Sequence, residues 1–374
     1  MGRFFALGRH SARYINLSLG EPDFVVPKDA LDRGFEEAFR GKTHYAPTNG
    51  ITELREALVK KAYTEYGLRY DPDTEVLVTV GASEAIFLAL CSFVNHNNEV
   101  LIPNPGFVAY EPCVALSRGK TVGFPLREEN GFGPSIRDVT SLLTAKSRVM
   151  LLNFPNNPTG SVLTHDDAHL LAKTAVEKNL LVISDEVYEK IVYDGMRNEC
   201  MATFPGMRER TLVVGSFSKT YAMTGLRVGY VYGPKDLIAP LWKLHQYLVS
   251  SVDSLAQYIG LAALTKSQQP VHKMVTEFNR RRDLVHKRLN EIDGIRCAQP
   301  KGAFYVFPNI STFKKSSEHF ADLLRDKARV ITVPGSFFGN SGEGYIRLSY
   351  TAPYAKLEEA LDSIERSLKK VERA

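Results

Sequence analysis

The chain has 374 residues, of which 44% are hydrophobic and 24% charged, with a formal net charge of +5. That is the composition of a soluble globular protein with room for two or three domains, and so small a charge makes no case for nucleic-acid binding. No apolar run reaches the ~18 residues of a membrane span, and Cys91, Cys113, Cys200 and Cys297 are scattered without a CxxC pair, which argues against a disulfide framework or a zinc site. The nine histidines show no metal-ligand spacing either. At the start, Arg9 and His10 break the apolar stretch too early for a secretory signal, and Ala6 stands where a myristoylation signal wants Ser or Thr. A cytoplasmic protein with free thiols is expected.

In chain order, apolar β-branched runs at 76–80, 100–103, 149–154, 180–184, 211–216 and 228–232 predict short buried strands. Helical periodicity at 84–94, 166–178 and 236–248 lies between them. This alternation predicts an α/β fold, with a mostly parallel sheet between layers of helices. Near residue 265 the pattern changes. A long helix over 271–291 leads to a strand at 303–307, a helix at 317–326, strands at 330–333 and 344–350, and a closing helix over 355–373. Hence a large domain is expected over 36–270, and a smaller α+β domain from 1–35 with 271–374. The basic run Arg280, Arg281, Arg282 in the long helix is expected to be a solvated face.

Six motifs carry candidate chemistry, five where strands end and one within a strand. Gly81, Ala82 and Ser83 form a small-residue turn before a helix. Ser83 can cap that helix, and the free N–H groups at its start suit an anion. Pro105-Gly106-Phe107 places an aromatic ring at a loop-to-helix junction, able to stack on a planar ligand or simply to pack in the core. Asn153-Phe154-Pro155-Asn156-Asn157-Pro158-Thr159-Gly160 is a turn in any case, and offers the Asn157 amide as a hydrogen-bonding group. The strand ending at Asp185 puts an acid at the crevice edge of a parallel sheet, with Tyr188 three residues on; a helix N-cap is the plainer role for such an Asp. Ser216-Phe217-Ser218-Lys219 and, eight residues on from the lysine, Arg227 supply an amine for an aldehyde cofactor and contacts for a phosphate. The same Ser-x-x-Lys spacing occurs in serine acyl-transfer enzymes, but their Ser-Asp-Asn and Lys-Thr-Gly elements are lacking. Arg347 stands alone in an apolar strand and needs an anionic partner, either a structural carboxylate or one on a substrate.

In order and spacing these residues resemble class I aminotransferases, the aspartate aminotransferase group of the fold-type-I pyridoxal-phosphate (PLP) enzymes. The likeness runs from Ser18-Leu19-Gly20-Glu21-Pro22-Asp23-Phe24 to Tyr350, nearly the whole chain. It implies that Lys219 binds the cofactor aldehyde and later moves a proton. Asp185 would pair with the ring nitrogen, and Asn157 and Tyr188 would bond the phenolic oxygen. Gly81, Ala82, Ser83, Ser216 and Arg227 would hold the phosphate, with Phe107 stacked on the ring. Arg347, Gly20 and Asn157 would take the substrate α-carboxylate. Tyr45 would reach the phosphate of a partner subunit, which implies a homodimer with active sites at its interface.

The reaction so implied is a ping-pong transfer of an amino group from an L-amino acid to a 2-oxo acid such as 2-oxoglutarate. Some aspartate-specific relatives carry Lys at the position of Ser83, so aspartate and aromatic donors both stay open. A carbon–sulfur β-lyase on the same fold would share Lys219, Asp185 and Arg347. A PLP-binding transcription regulator would need a DNA-binding domain, for which about fifteen leading residues leave no room.

Overall fold

The structure, a computed structural model, describes residues 13–369. Residues 1–12, which carry the leader motifs, and 370–374, the expected end of the closing helix, lie outside the described residues. Twelve strands are formed among the described residues: β1 (Ile15–Asn16), β2 (Val76–Thr79), β3 (Glu99–Asn104), β4 (Lys120–Pro125), β5 (Ser147–Asn153), β6 (Leu181–Asp185), β7 (Thr211–Ser216), β8 (Gly229–Tyr232), β9 (Tyr305–Val306), β10 (Val330–Ile331), β11 (Val333–Pro334) and β12 (Ile346–Ser349).

The main sheet has the order β2-β8-β7-β6-β5-β3-β4. β8 runs antiparallel to β2 and β7, and the other pairings are parallel. Strands β2, β7 and β8 are buried along their length, as a sheet with both faces covered requires. Helices Gly81–Phe93 and Lys235–Val249 pack on one face; helix His165–Glu177 belongs to a second core on the sheet. β4 carries no apolar run to betray it in the sequence. It is the edge strand, and most of its residues are half-buried.

The C-terminal part builds a separate core around Phe278, Phe304, Phe320, Leu348 and Leu361. Leu17, Tyr188, Ile191 and Tyr193 insert into it, so the segment after β6 is held by both parts of the molecule. The strand expected at 330–333 is in fact two. β10 pairs parallel with β1, and β11 pairs antiparallel with β12 in a three-stranded sheet. The closing helix is Tyr354–Leu368.

The solvated face expected at Arg280–Arg282 is corrected: only Arg280 is exposed. Arg282 has 2% of its side chain exposed and makes a two-pronged contact with Asp194, at 3.0 Å from each carboxylate oxygen. Arg281 reaches Asp23 at 2.7 Å and Glu277 at 2.9 Å. Helical spacing turns consecutive residues by about 100°, so three in a row cannot share one face.

Candidate active site

Parallel strands β5, β6 and β7 end side by side. Asn153 lies opposite Asp185 in register, and β7 ends at Ser216. Chain segments leave the sheet at this edge, and a cavity of about 460 Å³ opens there, a size suited to a cofactor and a small substrate. It is lined by Gly20, Ala82, Ser83, Phe107, Asn157, Asp185, Tyr188, Ser216, Lys219, Arg227 and Arg347 among others. Eleven residues singled out on the sequence, from seven separate segments, thus meet in one place.

Lys219 stands on the one-turn helix Phe217–Thr220. Ser216 starts that turn: its Oγ accepts the Ser218 N–H at 3.1 Å and donates to the Val228 carbonyl at 3.3 Å. The Lys219 ammonium donates to the Gly20 carbonyl. Burial lowers its pKa to about 8, and the Arg347 and Arg227 charges add to this while Glu21 and Asp185 oppose it. A half-buried amine poised there can act as a nucleophile and as a proton carrier near neutrality.

Asp185 is not a helix N-cap. Its Oδ2 accepts the Tyr110 hydroxyl at 2.6 Å and its Oδ1 accepts the Val187 N–H at 3.3 Å. Burial raises it to about 6, against the pull of those hydrogen bonds and of Lys219. A carboxyl group so placed gains strongly from a cation in the cavity. Tyr188 meets the Tyr305 hydroxyl at 2.8 Å, and burial raises its pKa.

Arg347 is buried, and its partners are neutral. Nη1 donates to Asn157 Oδ1 at 3.0 Å, Nη2 donates to the Ser18 carbonyl at 2.6 Å, and Nε has no protein partner among the described residues. Its guanidinium lies 4.6 Å from the centre of the Tyr305 ring and 4.9 Å from that of Phe338. The structural carboxylate that would have explained the arginine is not found among the described residues. A buried cation with an orphaned donor is a site for an incoming anion.

At the other end of the cavity, the helix Gly81–Phe93 points its first turn inward. The N-cap is Val80, without a side-chain bond, so the capping role expected of Ser83 is corrected: it sits inside the first turn. Gly81 has φ +72°, and a Cβ there would come within 2.5 Å of the Arg227 Nη2. Gly81 does not line the cavity; it lets Arg227 close on the turn. Tyr45 is not brought to the cavity either and is 90% exposed.

Three contributors had escaped the sequence reading. Tyr110 holds Asp185, Asn153 donates to the Asp185 carbonyl at 3.2 Å, and Tyr305 stacks on Arg347. A tyrosine inside an apolar stretch was the available signal, since a buried hydroxyl needs a partner. A larger groove of about 760 Å³ lies elsewhere, but Lys61 and Lys190 on its wall are already paired with Glu65.

Residues 12–364 match the family model for aminotransferase class I and II. The chain belongs to that family. It is 44% identical to aromatic-amino-acid aminotransferase 2 of Thermococcus litoralis, over 98% of this chain and 95% of the relative. It is 43% identical to an aspartate aminotransferase of Pyrococcus abyssi, over 95% and 92%. A solved structure of an aromatic aminotransferase from Pyrococcus horikoshii superimposes with a TM-score of 0.94 at 42% identity, covering 99% of this chain and 98% of that one. The protein is therefore a transaminase with the α/β architecture of fold-type-I aminotransferases. These relatives are aminotransferases by name, and the β-lyase alternative gains no support from them.

Proposed function

We propose that this aminotransferase uses pyridoxal 5'-phosphate to move the amino group of an L-amino acid to a 2-oxo acid by a ping-pong cycle. The observation that carries the reading is one cavity holding a half-buried lysine, a buried carboxyl group and a buried arginine without a counter-ion among the described residues. The residues fit the group. Lys219 would hold its aldehyde carbon, Asp185 its ring nitrogen, Asn157 and Tyr188 its phenolic oxygen, and Phe107 its ring face. Ala82, Ser83, Ser216 and Arg227 would hold its phosphate. When bound, the cofactor supplies an electron sink for the pair left at the substrate Cα. Arg347 orients the substrate by its carboxylate, with Asn157 and Gly20 beside it. Lys219, as the neutral amine, would take the proton from the substrate Cα and return it to the cofactor's aldehyde carbon, on the far side of the nitrogen.

The same reading extends to substrate, assembly and location. Leu19, Ile86, Phe107, Val108 and Val187 give the cavity an apolar wall. The cations on its described lining are Lys219, Arg227 and Arg347, each already assigned. That favours an aromatic over an aspartate donor in this subunit, with 2-oxoglutarate as a candidate acceptor. A homodimer, with Tyr45 reaching the partner's phosphate, suits the exposure of that ring. The division into 36–270 and 1–35 with 271–374 is kept as the domain reading: the separate core around Phe278 and Leu361 supports it, while Ala30 and Val271 pack in the core of the larger part. Among the described residues no helix is long and apolar enough to cross a membrane, and we assign the enzyme to the cytoplasm, without nucleic-acid partners.

The test is a spectral titration of the purified holoenzyme with Phe, Tyr, Asp, Glu, Ala and Lys. The cofactor's visible band should give way to that of its amine form, fastest with the aromatic donors. Lys219→Ala should lose nearly all turnover. Normal turnover by that variant, or no spectral change with any donor, would overturn the reading.

A further inference from the structure

His245 lies on the helix Lys235–Val249 and has no exposed surface. Its Nδ1 is 2.9 Å from Glu84 Oε1, and its Nε2 has no protein partner among the described residues. Enclosing a polar ring with one nitrogen unpartnered is unfavourable, and an aliphatic side chain would avoid it. The polar contact the ring makes with Glu84 is therefore the feature to explain.

That contact leads directly to the phosphate end of the cavity. The other oxygen of Glu84 accepts the backbone N–H of Val80, the residue that turns β2 into the helix Gly81–Phe93. The Thr79 hydroxyl donates to the Gly81 carbonyl at 3.0 Å on the same turn. The N–H groups of Ala82 and Ser83, early in the helix, have no intrahelical acceptor, and both residues line the cavity. Tying back the Val80 N–H sets the direction in which those free donors point. Glu84 can do this only if its own carboxylate is held, and His245 holds it from the neighbouring helix.

We propose that His245 and Glu84 are positioning residues for the anion-binding turn: the imidazole fixes the carboxylate, the carboxylate fixes the Val80 N–H, and the turn presents its donors to a phosphate group. This rests on the cofactor reading above. Neither residue lines the cavity, so the pair acts on the phosphate end through the backbone, not on the ring or the substrate.

The experiment measures dissociation constants of the apo-protein for pyridoxal 5'-phosphate and for pyridoxal, which lacks the phosphate. His245→Leu should weaken binding of the phosphorylated aldehyde about 10-fold, the order expected for one charge-assisted hydrogen bond. Pyridoxal binding should stay within about 2-fold, because the ring and aldehyde contacts are untouched. His245→Asn, whose amide can donate close to the Nδ1 position, should restore most of the preference. A ratio of the two constants that is the same in wild type and His245→Leu overturns the inference, as does equal weakening of both ligands. Should His245→Leu fail to fold, His245→Gln, which places its amide one bond farther out, takes its place against His245→Asn with the same criteria. A wild-type protein that binds neither aldehyde would refute the cofactor reading itself and this inference with it. One that binds both, with an unchanged ratio in the variants, refutes the inference alone.

Discussion

Lys219 owes its reactivity to where the chain puts it. Burial is the largest influence on its amine, and the Arg347 and Arg227 charges press in the same direction, bringing the pKa from the usual 10.5 to about 8. The amine is neutral above its pKa, so capture of pyridoxal 5'-phosphate by the apo-protein should quicken as pH rises, with a midpoint near 8 and not near 10.5. Stopped-flow absorbance would measure this. Glu21 is the leading group that opposes the shift, and it also accepts the Thr224 hydroxyl at 3.2 Å. Glu21→Gln removes that negative charge and should move the midpoint to lower pH; a midpoint that stays put or rises would contradict the electrostatic account. Lys219 could be singled out from the sequence because a lysine at a strand end has few structural reasons to be there once Asp185, Asn157 and Arg347 accompany it. The influence of Glu21 could not, because it depends on a contact between segments some 200 residues apart in the chain.

Among the elements, the strand-to-helix turn after β2 shows how tightly the phosphate end is built. A Cβ added at Gly229 of β8 would come within 2.5 Å of the Gly81 carbonyl carbon and 2.6 Å of the Ala82 nitrogen, both backbone atoms that cannot swing aside. Gly229→Ala should therefore push the turn away from the sheet. We expect a loss of about 1–3 kcal/mol in chemical denaturation, the usual cost of overpacking, and faster loss of cofactor on dialysis. The turn itself was legible in the sequence as small residues between a strand and a helix. Its cap was not, because local preference points to Ser83, while the register of the first helical turn puts Val80 at the N-cap. The single strand read at 330–333 failed for a similar reason. Period-2 alternation marks extended chain but does not name its partners, and here two partners divide it.

At the scale of the whole molecule, exposed aromatic and aliphatic side chains gather near one seam. Tyr45 is 90% exposed, Phe39 91% and Tyr247 78%, with Leu248 beside it. The two stretches are neighbours, since the Ser254 hydroxyl donates to the Lys42 carbonyl at 2.8 Å and the helix Ser254–Thr265 packs on Lys28–Phe39. Large apolar groups collected on a surface mark an interface. In sedimentation experiments the protein should run at twice its chain mass of 41.8 kDa. The double variant Tyr247→Asp, Leu248→Asp should run as the single chain, since two buried charges without partners would be unfavourable in a dimer. A dimer that survives these two charges would place the interface elsewhere.

The sequence by itself determined the α/β class, the positions of six of the seven large-sheet strands, and the identity of eleven of the residues that meet in the cavity. These features follow from local periodicity and from chemistry that few residue types can perform. Only the tertiary structure decided that Arg347 meets no carboxylate among the described residues, that Tyr110 and Tyr305 support the site, that Arg281 and Arg282 are buried, and that His245 reaches the anion-binding turn through Glu84. Each of those depends on contacts between distant segments, and neither composition nor spacing encodes which distant segment a side chain will face.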